Sequence, residues 1–397
     1  MRPKLQPTLR EAPSLSMKRI LPSWTEENLY TNILMKQRIE YFDLLKGIAI
    51  FLVVMGHALT MCIRGIDAAF LFKLIGQVHM PIFFFISGFL TYKDTFAPPA
   101  LKKRFLQLII PFFVVSALWI WYFPHSSLGS PISSSLTGMY CSYWKDGYWF
   151  TLCLFELFLL YLPLSAILRH CRRFWQKIAV VLITYAVLLI AASFLSSEQA
   201  NHDIVGIGLM SYFFPIFMVG VFARKYSSVY CTVTSSGTWF TIAAIVFAFT
   251  FYSIVYPWDL PFLPGWYKAV ARPLMHISTV IIAVNVVKPW SKREFCIATA
   301  DTASIVTQDN ASKPSAVARY FKYLGTESLS IYLLHYFFLF PLTPLQEPLK
   351  AIGLQFVPLA TIATVVAFIV IAITRFVSSI ISHSPLLSLL LLGKTGK

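Results

Sequence analysis

Charge is what this chain has least of. Only 13% of its 397 residues are charged, while 57% are hydrophobic. That balance excludes an ordinary soluble domain and fits a polytopic membrane protein. Acidic residues are scarcer still, 17 against 33 Lys and Arg, for a formal charge of +16. In a soluble domain such an excess points to nucleic acid; here the placement of the charges, taken up below, argues against that partner. The six cysteines (Cys62, Cys141, Cys153, Cys171, Cys231 and Cys296) have no metal-ligand spacing, so no metal is expected. They read as small core residues, with a Cys62–Cys141 bridge the one pairing left open. The first 35 or so residues lack an apolar leader core. Residues 1–37 are expected to be a disordered cytoplasmic tail, and Met35 would serve as an alternative start directly before the first apolar run. There is no internal repeat and no second domain.

What is present is a series of apolar runs of 18–22 residues, each long enough to cross a bilayer. Ten are expected: 41–61, 74–92, 105–122, 148–168, 178–195, 205–223, 238–256, 269–287, 323–342 and 357–378. The predicted class is therefore all-α, with a membrane domain over residues 38–384. The apolar stretch 385–392 is too short to span and is expected to be part of a C-terminal tail, 385–397. Trp144, Trp149, Trp266 and Trp290 fall near run ends, where interfacial aromatics sit.

Lys and Arg alternate in density from loop to loop. The stretch before the first run carries seven, counting Arg38. Lys93, Lys102, Lys103 and Arg104 follow, then Arg169, Arg172, Arg173 and Lys177, then Arg224 and Lys225, then the 288–322 loop. The intervening loops hold Arg64, Lys73, Lys145, Lys268 and Lys350. By the positive-inside rule both termini are cytoplasmic, and the span count is even. The basic charge is mostly topology. The 288–322 loop, rich in Ser, Thr, Ala and Asp at its middle, is expected to be flexible.

The first run is unusual because it carries Asp43, Lys46 and His57. Ionisable groups in hydrocarbon are costly and mark function by default. Lys46 and His57 are eleven residues apart, close to three helical turns, so they share a face about 16 Å apart. Asp43 lies three residues before Lys46, where a helix pairs them. By depth along the spans, His57, His79, Glu156 and His335 fall in one outer slab, while Asp43, Lys46 and Ser87-Gly88 fall in the inner half. In the second run Pro81 frees the Gln77 carbonyl and Gly88 allows a close backbone approach, so a broken, cavity-lining helix is expected there. Arg272 and His276 lie near the outer end of the eighth run, where snorkelling to the interface is the plainer reading.

These residues also carry a resemblance. Lys46, ten intervening residues and His57, inside 42–57, resemble the first-helix signature of the acyltransferase 3 family of integral membrane acyltransferases. His79-Met80-Pro81 through Ser87-Gly88-Phe89, Tyr148-Trp149-Phe150, the 213–220 run and Gly325 through His335 resemble further family stretches in the same order. Many members have Arg where this chain has Lys46, and Lys lacks Arg's bidentate fork. The resemblance implies a ten-helix core that takes an acyl group, usually acetyl, from cytoplasmic acyl-CoA. It implies transfer to a hydroxyl of an extracytoplasmic glycan or lipid-linked sugar.

Such a transfer needs a base for the hydroxyl and a stabiliser for the oxyanion. His57 is the expected base, with His335 and Tyr332 orienting it or donating to the oxyanion. Glu156 is expected to fix a histidine tautomer, and Lys46, balanced by Asp43, to hold the thioester arm. His79, Ser87, Trp149, Tyr332 and Arg272 are the expected substrate contacts. Lys103 and Arg104 suit the phosphates of acyl-CoA. A transporter or exporter of a glycan or small molecule is the alternative, since buried ion pairs also serve coupling. A polymerase or ligase of lipid-linked glycans is a third; it usually carries a long catalytic outer loop, and the longest here, 123–147, is modest.

Overall fold

A computed structural model of the chain describes residues 39–63, 69–92, 98–122, 136–198, 200–256, 266–291, 315–344, 347–348 and 355–394. The expected N-terminal tail, and the middle of the 288–322 loop, lie outside the described residues. The described part is almost entirely helical. Its main helices are α1 (Glu40–His57), α2 (Phe70–Thr91), α3 (Pro98–Tyr122, with a π-helical stretch at Phe105–Ile109), α4 (Trp149–His170), α5 (Phe174–Leu195) and α6 (Ile207–Lys225). They continue with α7 (Gly237–Val255), α8 (Tyr267–Val287), α9 (Ala316–Thr326), α10 (Ser328–Leu334), α11 (Phe356–Ile381) and α12 (Pro385–Leu392). A two-residue antiparallel ladder, β1 (Ser196–Ser197) with β2 (His202–Asp203), is the described sheet.

Among the described residues nine helices are long and apolar enough to cross a bilayer. The run expected over 323–342 is not one helix. It is α9 and α10, broken at Glu327, followed by a 3₁₀ turn over His335–Phe338. The Glu327 carboxylate accepts from Arg375 of α11 at 2.6 Å and from Lys394, just beyond α12, at 2.9 Å. Conversely, Pro81 does not break α2, which runs through it. Within the expected C-terminal tail, Pro385–Leu392 is a short helix, α12. Ser384 caps α12, which packs on α3, and Gly393 sits so close to the Gln107 carbonyl that a Cβ there would lie 2.2 Å from it. Cys62 and Cys141 are both free thiols.

Two close crossings organise the bundle. Where α1 meets α9, a Cβ on Gly47 would lie 1.7 Å from the Phe321 carbonyl oxygen, and one on Gly325 would lie 1.7 Å from that of Asp43. Where α2 meets α6, the same holds for Gly88 against Phe217 at 2.0 Å and Gly220 against Phe85 at 2.1 Å. In lipid no hydrophobic drive joins helices, so small residues that let backbones touch supply the packing energy. α1 is buried along most of its length, whereas α5 is almost wholly exposed, as a lipid-facing helix would be. Replacing Gly325 by Val is expected to cost about 2 kcal/mol or more from overpacking. It would be read as a lower melting temperature and a smaller monodisperse fraction after detergent extraction. Gly76→Ala, where nothing lies within 4 Å, is the matched control and is expected to leave both unchanged.

Candidate active site

The α1–α9 crossing also fixes a register. His57 lies ten residues beyond Gly47, and His335 ten residues beyond Gly325. Both chains rise from the crossing about 15 Å at helical pitch and deliver their imidazoles to one level. The rings meet with centroids 5.3 Å apart. Beyond His57 the helix loosens into a π turn, Ala58–Cys62, a form that recurs at functional sites. The Leu342 amide then donates to the Cys62 carbonyl at 2.8 Å, closing this end of the two segments.

His57 is held by a residue that sequence reasoning missed. The Tyr336 hydroxyl shares a hydrogen bond with its Nε2 at 2.8 Å. His335 does not bond His57. Its Nδ1 faces the carbonyls of Tyr332 at 2.8 Å and Ile331 at 3.0 Å, so Nδ1 carries the proton and Nε2 is left as a lone pair. That Nε2 is buried without a partner. Tyr332, expected to serve His57, is committed elsewhere: its hydroxyl donates to the Gly147 carbonyl at 2.8 Å and accepts the Phe150 amide at 3.1 Å. Tyr336 lies one turn further on, and its i+4 spacing from Tyr332 was the available signal.

The ion pair expected at the other end of α1 is present, with Lys46 Nζ 2.8 Å from Asp43. Asp43 is buried and Lys46 partly exposed. Glu156 is placed differently from expectation. It is buried, touches no histidine, and neither oxygen has a hydrogen-bond partner. It lies instead against Gly206, whose left-handed backbone leaves room for the carboxylate. His79 is half-buried and bonds the Ile75 carbonyl within its own helix. Ser87 lies eight residues further along α2, its carbonyl accepting from Thr91, and is not gathered to the histidines. Trp149 is buried and stacks on Phe213, centroids 5.3 Å apart. Arg272 lies over the Tyr212 ring at 5.0 Å. One turn along α8, His276 stacks on Phe213 with both nitrogens unpartnered. Lys103 is exposed, and the Arg104 guanidinium covers the Phe158 ring at 5.0 Å.

With this geometry in hand, comparison with known proteins is direct. The acyltransferase-domain family matches residues 39–376, most of the chain. The chain belongs to the acyltransferase 3 family. Among curated proteins it is similar to nodulation protein NolL of Sinorhizobium fredii (strain NBRC 101917 / NGR234), 44% identical over 84 residues, which is 19% of this chain and 23% of the relative. It is also similar to NolL of Mesorhizobium japonicum (strain LMG 29417 / CECT 9101 / MAFF 303099), 35% identical over 116 residues, 26% of this chain and 31% of the relative. The matched stretches thus span about a quarter to a third of these relatives. No solved structure matches.

A turn between α3 and α4 closes the site. Lys145 and Asp146 both take left-handed backbone angles, φ 46° and 50°, and Gly147 follows at φ 93°. Such angles are uncommon for non-glycine residues. The turn is clamped by Lys145, which is 1% exposed and donates to the carbonyls of Tyr140, Ser142 and Asp203 at 2.7, 2.9 and 3.0 Å. A Cβ at Gly147 would lie 2.1 Å from the Tyr336 hydroxyl, so the turn backs directly onto the group that holds His57. Burial pushes the Asp146 carboxyl up to about 6 from 3.8. The folded chain therefore keeps a proton that the unfolded chain releases, and stability falls as pH rises from 4 through 6. The full penalty corresponds to at most about 3 kcal/mol. Asp146→Asn is expected to flatten this part of the profile. A wild-type-minus-variant difference in melting temperature that stays constant between pH 4 and 7 would contradict the assignment.

Proposed function

We propose that this protein transfers an acyl group, most simply acetyl, from cytoplasmic acyl-CoA to a hydroxyl of an extracytoplasmic polysaccharide or lipid-linked sugar. The observation that carries the reading is the imidazole pair His57–His335, with Tyr336 bonded to His57, inside a helical acyltransferase domain. The alternation of basic loops supports a plasma (inner) membrane location with both termini cytoplasmic. That orientation puts Asp43–Lys46 near the donor side and the histidines near the acceptor side.

In this reading His57 takes the proton of the acceptor hydroxyl as its oxygen attacks the thioester carbonyl. The C–O bond forms, and the tetrahedral oxyanion collapses with loss of the C–S bond. The leaving CoA thiolate then takes the proton back from His57. Imidazole suits both steps because one ring nitrogen can accept a proton and hand it on again. Tyr336 holds the ring in place, and His335 offers its bare Nε2 to a substrate hydroxyl. Lys46, paired with Asp43, supports the donor arm, and Lys103 and Arg104 serve the donor phosphates. Arg104 packs on a ring as well, which leaves its guanidinium edge for an anion.

Membranes carrying the wild type, incubated with labelled acetyl-CoA, are expected to pass label into a glycan or glycolipid fraction. His57→Ala is expected to abolish this. Tyr336→Phe, which keeps the ring and removes one hydrogen bond, is expected to lower the rate about 10- to 100-fold with donor affinity unchanged. Undiminished transfer by His57→Ala would end the base assignment. Absence of both transfer and acyl-CoA binding in the wild type would end the transferase reading.

A further inference from the structure

The turn that backs onto Tyr336 leaves polar atoms without partners, and they are not scattered. Asp146 is 8% exposed, and its Oδ1 makes no hydrogen bond; Tyr148 is fully buried, and its hydroxyl makes none. Both lie within electrostatic range of each other and of Tyr336, whose ring is 5.2 Å from that of Tyr148 by centroid. The Tyr336 ring is 4.2 Å from that of His335, whose Nε2 is likewise buried and unpartnered. A buried polar atom without a partner costs about 1–3 kcal/mol, and native structures hold few of them. Three of them around one tyrosine therefore ask for an occupant.

The neighbouring lysine does not answer for Asp146. Lys145 spends its ammonium on three backbone carbonyls, one of them that of Asp203 beside the α6 N-terminus. It holds the left-handed turn in place while its own charge points away from the Asp146 carboxyl. A structural turn of this shape would be cheaper with Gly or Asn at Asp146. Keeping a buried carboxyl there, next to a second orphaned hydroxyl, is a cost that a ligand repays.

We propose that Asp146 and Tyr148 form the acceptor subsite of this protein, recognising adjacent hydroxyl groups of a sugar ring. The statement rests on the acyl-transfer reading above and adds to it the residues that hold the acceptor and the pairing of hydroxyls they select. Chemistry picks hydroxyls. The Asp146 carboxyl accepts from an O–H when ionised, Tyr148 gives and accepts, and His335 Nε2 accepts only. An anionic substrate would be repelled by Asp146, and an apolar one would leave all three atoms unsatisfied. The rings of Trp119, Tyr148 and Tyr336 pack together beside these atoms. A diol held here sits beside the hydroxyl that positions His57.

The test uses the full chain, purified in detergent, with a mixture of neutral hexose, N-acetylhexosamine and deoxyhexose oligosaccharides as probe. The same mixture with every hydroxyl acetylated is the control. The free mixture is expected to raise the melting temperature in a concentration-dependent way, and the acetylated one not to. Asp146→Asn keeps the left-handed turn, which Asn tolerates, and is expected to weaken the saccharide effect about tenfold. Tyr148→Phe is expected to weaken it to a lesser degree. Acyl-CoA affinity, measured by the same shift with acetyl-CoA, is expected to be unchanged in both variants. No shift from the free mixture would overturn the proposal, as would an equal shift from the acetylated one or full saccharide response in Asp146→Asn. Loss of the acetyl-CoA shift in the wild type would instead strike at the transferase reading, so the two failures are told apart.

Discussion

The structure depends on one backbone contact. Gly47 and Gly325 let α1 and α9 touch at the level of the Asp43 and Phe321 carbonyls. No side chain longer than hydrogen fits at either position. Because each glycine is followed ten residues later by a histidine, this contact sets the height at which His57 and His335 meet. A slip of one residue would rotate one imidazole by about 100° around its helix and dissolve the pair. The second crossing, Gly88 with Gly220, does for α2 and α6 what the first does for α1 and α9. Together they clamp the helices that carry His57, His79 and the Phe213 aromatic layer.

Around that frame, the described ions are treated in two ways. Asp43 with Lys46, Glu40 with Lys322, and Glu327 with Arg375 and Lys394 are matched pairs. The Glu327 clasp stabilises a chain break, and the break is what allows His335 and Tyr336 to enter the site from a 3₁₀ turn rather than a straight helix. Glu156, Asp146, His276 and His335 are treated otherwise: each is buried and each holds at least one polar atom without a partner. In an apolar interior such atoms are expensive. They lie on α4, on α8, on the turn before α4 and on the 3₁₀ turn after α10. Unpartnered polar atoms and paired charges thus fall on different residues of the bundle.

The aromatic content serves the same division. Phe84, Phe213, Trp149 and His276 stack in nearly parallel planes between α2, α4, α6 and α8. Trp119, Tyr148 and Tyr336 pack edge to tilted face on the other side of the histidines. The first group is a rigid wall. The second carries hydroxyls, so it both packs and bonds.

By itself the sequence determined that the chain is a helical membrane domain, because apolar run length is a direct consequence of bilayer thickness. It also determined the Asp43–Lys46 pair and the shared face of Lys46 and His57, since these are spacings within one helix. The need for a close approach at Gly88 was legible too, although its partner, Phe217, was not. Contacts between segments were decided by tertiary structure. Tyr336 rather than Tyr332 reaches His57, because the Tyr332 hydroxyl is taken by the Gly147 carbonyl and the Phe150 amide. Glu156 misses the histidines because the Gly206 turn claims it. Residues 385–392 join the bundle because Lys394 and Gly393 find partners more than fifty residues away. The Lys145–Gly147 turn read as plain loop because left-handed angles and triple carbonyl capture leave no mark on residue type. Helical period fixes what one segment presents; only the crossing of segments, set here by glycines, fixes what those presentations meet.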